Sequence, residues 1–287
     1  MEDKDIKETN VKSTIDAVTG LVKAVPIYQD TLQPAAKQVG KSLETITKVV
    51  NIALSPIKAI VWGYDKIEDF ITKRVSEKLC NVPEENIITP LPQIAGPAIE
   101  TLKYVGHDEN LRELYANLIA NAMDKSTSYK VHPSFVEILK NLASDEALLL
   151  QAFINNRSHP LIDIQAVDNT NNRGHLVMYS NHSHFYKKVD LVNRQLVPVY
   201  LDNLCRLGIA IIPSLESISA PNTYEPLESD EALENLKKQI EDDMKCTVKF
   251  KRKTIMLTDF GSQFITNVVE EKNKTSANKS SYYVYSK

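Results

Sequence analysis

Asn51–Phe70 reads NIALSPIKAIVWGYDKIEDF and carries Trp62, the one tryptophan of the chain. From Val49 to Tyr64 a single charge, Lys58, interrupts the apolar residues. Such a run is a membrane span, a core helix or a surface for a partner. A transmembrane helix needs about 20 consecutive apolar residues. This run is shorter and is broken by Pro56, Lys58 and Gly63. Burial within a helical bundle is therefore the favoured reading, ahead of peripheral membrane contact, with spanning last.

Reading outward, apolar residues recur every three or four positions: Leu32, Ala36, Val39, Leu43, Ile46, Val50, Ala53, Ile57, Val61, Tyr64, Ile67, Ile71, Val75 and Leu79. This is one stripe of a long helix or a helix pair. Pro56 lacks an N–H and predicts a kink or restart, with Ser55 as its N-cap. Around Val49, Ile52, Ile60 and Trp62 the apolar surface widens beyond one stripe. Ile57, Ile60, Val61, Trp62 and Tyr64 are thus the candidate surface for a membrane or a partner.

The chain of 287 residues has 43% hydrophobic and 25% charged residues and a net charge of -3, so bulk attraction to nucleic acid or anionic lipid is not expected. Cys80, Cys205 and Cys246 belong to no CxxC or Cys/His spacing, which argues against a disulfide framework and a structural zinc site. The opening MEDKDIKETN has no apolar h-region, and a cytoplasmic location is expected, with membrane association as the variant.

Further along, Ser13–Val25 predicts a short amphipathic helix, NVPEENIITPLPQIAGP a rigid extended connector, and Pro97 or Ala98 the start of a helix that Gly106 closes. Asp108–Asp124 is the clearest helix. LIDIQAV (161–167) alternates like a strand, LVPVYLDNLCRLGIAIIP reads as helix then strand, and TVKFKRKTIMLTDFGSQFITNVV as strand then helix. Between them Ser214–Met244 carries nine acidic residues against two lysines. The predicted fold is mainly α with a small α+β part, a helical N-terminal region followed by a winged-helix-like domain. Its predicted boundaries are 1–27 for an amphipathic segment, 28–140 for the helical domain, 141–270 for the winged-helix-like domain with an acidic insertion at 214–244, and 271–287 for a flexible tail.

YQDTLQPAAKQVGKSL, LSPIKAIVWGYDKIEDF, PEENIITPLPQIAGPAIETLKYVG, LRELYANLIANAMD, HPSFVEIL, SDEALLL, YLDNLCRLGI and LTDFGSQF occur in this order. Over about Tyr28–Val269 they resemble the bacterial Abi-alpha family. The resemblance implies a role in abortive infection, in which an infected cell halts or dies so that its kin survive phage. It carries over no catalytic residues.

No phosphate loop, GxSxG elbow or HExxH is present, so no enzyme chemistry and no cofactor is nominated. His182 and His184 form a His-x-His whose rings would share one side of a strand. With no carboxylate or cysteine nearby to complete a metal site, a polar hairpin is the favoured reading. On the 108–124 helix, Glu113, Asn117, Asn121 and Asp124 form a polar stripe. A solvated face or interhelical hydrogen bonding is favoured there, with a ligand or enzyme site as the alternative. Lys249, Lys251 and Lys253 would project from one side of a strand toward a phosphate backbone, unless Glu241, Asp242 and Asp243 pair with them. The expected partner is a protein or phage component. Peripheral membrane contact and oligomerisation are admitted beside it, and nucleic acid ranks below.

Overall fold

The computed structural model describes residues 43–61, 65, 67–168 and 174–272. The chain divides into two compact units, Met1–Thr45 and Ile46–Lys287, and of the first only Leu43–Thr45 are described. The expected helix at Ser13–Val25, the tail from 273 onward, Trp62 and Tyr64 lie outside the described residues. The molecule is mainly α with a small antiparallel sheet, as its patterning predicts.

The apolar stripe forms a helix pair, α1 (Leu43–Ile60) and α2 (Glu68–Leu79). Ile46, Val50, Ala53, Leu54 and Ile57 of α1 and Ile71, Val75 and Leu79 of α2 are buried together. A restart at Pro56 does not occur, and α1 runs through it. Pro56 lies on the exposed side, so the Ile52 carbonyl that loses its donor sits where water can replace it. The next helix, α3 (Pro92–Val105), starts earlier than expected. Pro92 takes the first helical position, where its missing N–H costs nothing, and Pro97 falls inside.

Helix α4 (Glu109–Met123) is capped by Asp108, whose carboxylate accepts the N–H of Asn110 at 3.0 Å and of Leu111 at 3.1 Å. Every residue from Leu114 to Met123 is buried, so α4 is the central helix rather than an amphipathic surface one. Around it stand α5 (Ser134–Lys140) and α6 (Ser144–Gln151). The last helix, α10 (Asp259–Phe264), continues as a π turn through Val269. Phe135 of α5 packs its ring 5.2 Å from Phe260 and 5.3 Å from Phe264, and His132 lies edge-on to Phe260 at 5.6 Å. HPSF and TDFGSQF therefore fold onto each other, each aromatic pair contributing about 1 kcal/mol beyond its burial.

The sheet holds β1 (Ser158–Asp168), β2 (His175–His182), β3 (Ala210–Ile211) and β4 (Cys246–Leu257), all antiparallel, in the order β2-β1-β4-β3. Helix α7 (Val197–Arg206) leads into β3 through Gly208, which adopts a left-handed φ of 73°. Asp145 of α6 anchors the approach to α7, accepting the N–H of Val192 at 3.0 Å and of Asn193 at 2.8 Å and the Tyr200 hydroxyl at 3.1 Å. The acidic segment is an ordered cover, with α8 (Glu225–Glu228) and α9 (Glu234–Lys238). Its Tyr224, Leu227, Leu233 and Ile240 are buried with Ile162, Ile164 and Ala166 of β1, forming a second apolar core distinct from the helical one.

Candidate functional site

β2 does not run straight into its histidines. Its pairing with β1 shifts register around Ile162 and Ile164, and Asn181 takes a left-handed φ of 56°. That turn is fixed by a half-buried ion pair: Lys253 Nζ donates to Asp163 Oδ1 at 2.7 Å and to Asn181 Oδ1 at 2.6 Å, while Asn181 N–H donates to Asp163 Oδ1 at 2.9 Å. The bend carries His182 and His184 toward the acidic cover, where Asp230 meets them.

His182 Nε2 lies 3.1 Å and His184 Nε2 2.6 Å from Asp230 Oδ2, and the Tyr186 hydroxyl donates to the same oxygen at 3.1 Å. Asp230 Oδ1 accepts the Ala232 N–H at 3.2 Å, which fixes the carboxylate as the cap of the turn Glu231–Leu233. Side-chain exposures are 8% for His182, 17% for His184 and 8% for Asp230. Burial alone would raise the Asp230 carboxyl. The Ala232 N–H, the His184 and Tyr186 hydrogen bonds and the His184 charge outweigh it and hold the group well below the usual carboxylate range. Burial pushes His182 down despite the attraction of Asp230. The result is an ionised carboxylate facing two imidazoles in a half-dry pocket, a donor set suited to a divalent metal ion or to a hydrogen-bonded staple.

The polar stripe of α4 divides into two clusters. Glu113 faces α2, bonded to Arg74 Nε at 2.9 Å and Nη2 at 2.6 Å and paired with Lys78 at 3.1 Å. Asn117 Nδ2 donates to Val268 O at 2.9 Å and Asn121 Nδ2 to Asn267 O at 2.8 Å, which ties α4 to the C-terminal turn. Lys272 joins Asn121 Oδ1 at 2.9 Å and Asp124 at 2.7 Å. Burial would raise Asp124, but Lys272 and Ser126 hold it low. His132 accepts the Ser134 N–H through Nδ1 at 3.1 Å, ahead of α5.

On α1, Ile57 and Val61 are core residues, while Ile60 is 56% and Ile52 53% exposed. Among the described residues no helix is long and apolar enough to cross a membrane. On β4, Lys249 and Lys251 are exposed, and among the described residues neither joins an ion pair, whereas Lys253 is committed to Asp163. Arg252 of the same strand is held by Glu225 and Glu228, so the acids that meet this basic run are these and Asp163 rather than the triplet 241–243. Sequence reasoning saw the histidines but missed Asp230 and Tyr186, because only the closure of the cover brings Asp230 there from 46 residues beyond His184.

Fold and site together define a mainly helical protein in which a small sheet and an acidic cover enclose a buried His–His–Asp cluster. The chain belongs to the Abortive infection alpha family, whose profile matches residues 63–268. Membership implies a role related to abortive infection. No curated protein matches the chain. A solved structure of an uncharacterized protein from the hydrocarbon-degrading marine bacterium Alcanivorax borkumensis SK2 is similar at 18% identity, covering 51% of this chain and 96% of the other, with a TM-score of 0.33.

Proposed function

We propose that the protein is a non-enzymatic antiphage factor that acts in abortive infection through a surface contact with a protein or a membrane. The family match carries the role. The mechanism is supported by α1, whose inner side is core while Ile52, Pro56, Ala59 and Ile60 form an exposed apolar strip. A soluble helix with one buried face has no need of a second apolar one, which is the mark of a contact surface. The helix–strand order from α6 onward, with β4 between β1 and β3, supports the winged-helix-like reading of the C-terminal part.

Phage challenge with counts of plaques and surviving cells tests the role. Expression of the wild type should lower plaque numbers while infected cells die, and unchanged plaque formation removes the proposal. Membrane flotation of wild type and Trp62→Asp, with and without infection, tests the lipid version. Absence from the membrane fraction in every condition leaves the protein version alone.

A second reading, a nucleic-acid-binding regulator, draws on the exposure of Lys249 and Lys251. It requires duplex DNA affinity that falls with salt and with Lys→Ala substitution.

A further inference from the structure

We propose that His182, His184 and Asp230 form a binding site for a first-row divalent metal ion of the zinc type, which would clamp the acidic cover onto the sheet. Their ligand atoms lie within 4.8 Å of one another. They come from separate places in the fold: the end of β2, the residue before the turn Phe185–Lys187, and the turn after α8. Each is set by other bonds. The Lys253–Asp163–Asn181 group fixes the bend before His182, and the Ala232 N–H fixes the second oxygen of Asp230. The convergence is built into the backbone and does not depend on flexible surface side chains meeting.

Hydrogen bonding alone crowds this cluster onto one carboxylate oxygen. Asp230 Oδ2 stands within reach of His182, His184 and Tyr186 at once. His184 Nε2 lies 2.6 Å from that acceptor and 3.1 Å from the Lys187 ammonium, a donor. One ring nitrogen either carries a proton for the carboxylate or offers a lone pair to the lysine, and it cannot do both. An ion that takes the lone pairs of both Nε2 atoms and of Oδ2 satisfies all three ligands together. It also returns the exposed Lys187 side chain to solvent.

Two imidazoles and one carboxylate suit a borderline ion such as zinc, and a negative charge half out of water favours a divalent cation. Ligands about 2.0–2.1 Å from a tetrahedral ion stand about 3.3 Å apart. The His182–Asp230 distance of 3.1 Å is close to that spacing, and the 2.6 Å of His184 must open by about 0.7 Å. His184 is the most exposed of the three side chains and has the room to turn. Tyr186 or water would complete the shell.

The test uses the full chain, stripped with chelator and desalted. Titration with zinc against a competing chromophoric chelator should show one equivalent bound per chain, and thermal melts should shift upward with added zinc. His184→Gln and Asp230→Asn should each weaken binding at least about tenfold and abolish the melt shift, while His175→Ala leaves both unchanged. Cobalt substitution of the wild type, which needs no variant to fold, should give visible d–d absorption without a thiolate charge-transfer band. No zinc binding by the wild type overturns the proposal. So does binding that survives both substitutions, or a thiolate band, which would move the metal to Cys80, Cys205 or Cys246.

Discussion

Gly261→Ala is the substitution whose sign separates tertiary approach from local propensity. Gly261 lies in the first turn of α10, and a Cβ placed there would stand 1.9 Å from the Ile209 carbonyl oxygen and 2.7 Å from its carbon. Real Cβ atoms essentially never come within 3.0 Å of such neighbours, so helix and strand entry must part by about 1 Å. Both obstacles are backbone, and no rotamer change relieves them. The shift loosens the bond from Thr258 N–H to Ile209 O at 3.0 Å and the bond from Thr258 Oγ1 to Gly208 O at 2.6 Å. It also strains the cap in which Gly261 N–H donates to Thr258 Oγ1 at 2.8 Å. A lost backbone bond and a lost cap cost about 1 kcal/mol each. Moving Phe264 and Val268 in a packed core adds about 1–3 kcal/mol. The expected loss is about 3–5 kcal/mol, against a gain of about 1 kcal/mol from helix propensity alone. Gly96→Ala in α3 is the control, because its Cβ would meet only Val61 Cγ2, at 3.9 Å, and propensity should win with a gain of up to about 1 kcal/mol. Urea unfolding followed by far-UV circular dichroism should move the two midpoints in opposite directions. A Gly261→Ala midpoint at or above the wild type refutes the reasoning.

His159 predicts a pH dependence. It lies 3.0 Å from the Ala152 carbonyl through Nε2 and faces the Lys188 ammonium at 2.8 Å through Nδ1, and burial first, then the Lys188 charge, pushes its pKa to about 4 from 6.5. Because the folded value is depressed, this contribution is whole above pH 6.5 and is lost as pH falls toward 4, by about 3 kcal/mol; His159→Gln should flatten that part of the stability profile, and an unaltered slope disproves the assignment. Asp145→Ala strands two backbone N–H groups and the Tyr200 hydroxyl and should cost about 3 kcal/mol in the same unfolding assay. Asn121→Ala should cost about 2 kcal/mol and raise hydrogen exchange in the C-terminal turn, which it holds through Asn267 O; exchange equal to wild type would show that the tie is idle.

Helix α4 was legible as a helix, since Asp108 supplies a cap and Leu111, Leu114 and Leu118 the period. Its complete burial was not, because the carbonyls that accept from the Asn117 and Asn121 amides come from 151 and 146 residues away. The strands around LIDIQAV and KFKRKTIML announced themselves by alternation. The acidic segment was legible only as charge. Tyr224, Leu227, Leu233 and Ile240 sit on short, broken turns with no helical period, so their common burial over β1 has no local signature. The metal-ligand geometry failed for the same reason, since Asp230 is one acid among nine in that segment. Prolines misled in both directions: Pro56 was tolerated because it faces water, and Pro92 opened a helix that the neighbouring prolines had hidden.

The charge pattern on β4 bears on which surface acts. Of the basic run at 249–253, Lys253 is paired with Asp163 and Arg252 is held by Glu228, which leaves Lys249 and Lys251 toward solvent. Two phosphate contacts give a salt slope of about -1.8, or about a tenfold loss of affinity between 50 and 200 mM salt, whereas proteins that grip duplex DNA engage about 6–10 phosphates. The segment joining β3 to β4, where a wing would approach a phosphate backbone, carries nine acids and three lysines. It repels the ligand that a DNA-reading winged helix must attract. Repulsion of this kind does not oppose an apolar contact through α1 or a clamp at Asp230. The acidic cover is therefore better understood as a device that spends its apolar side on the sheet and its carboxylates on Arg252 and the histidine pair.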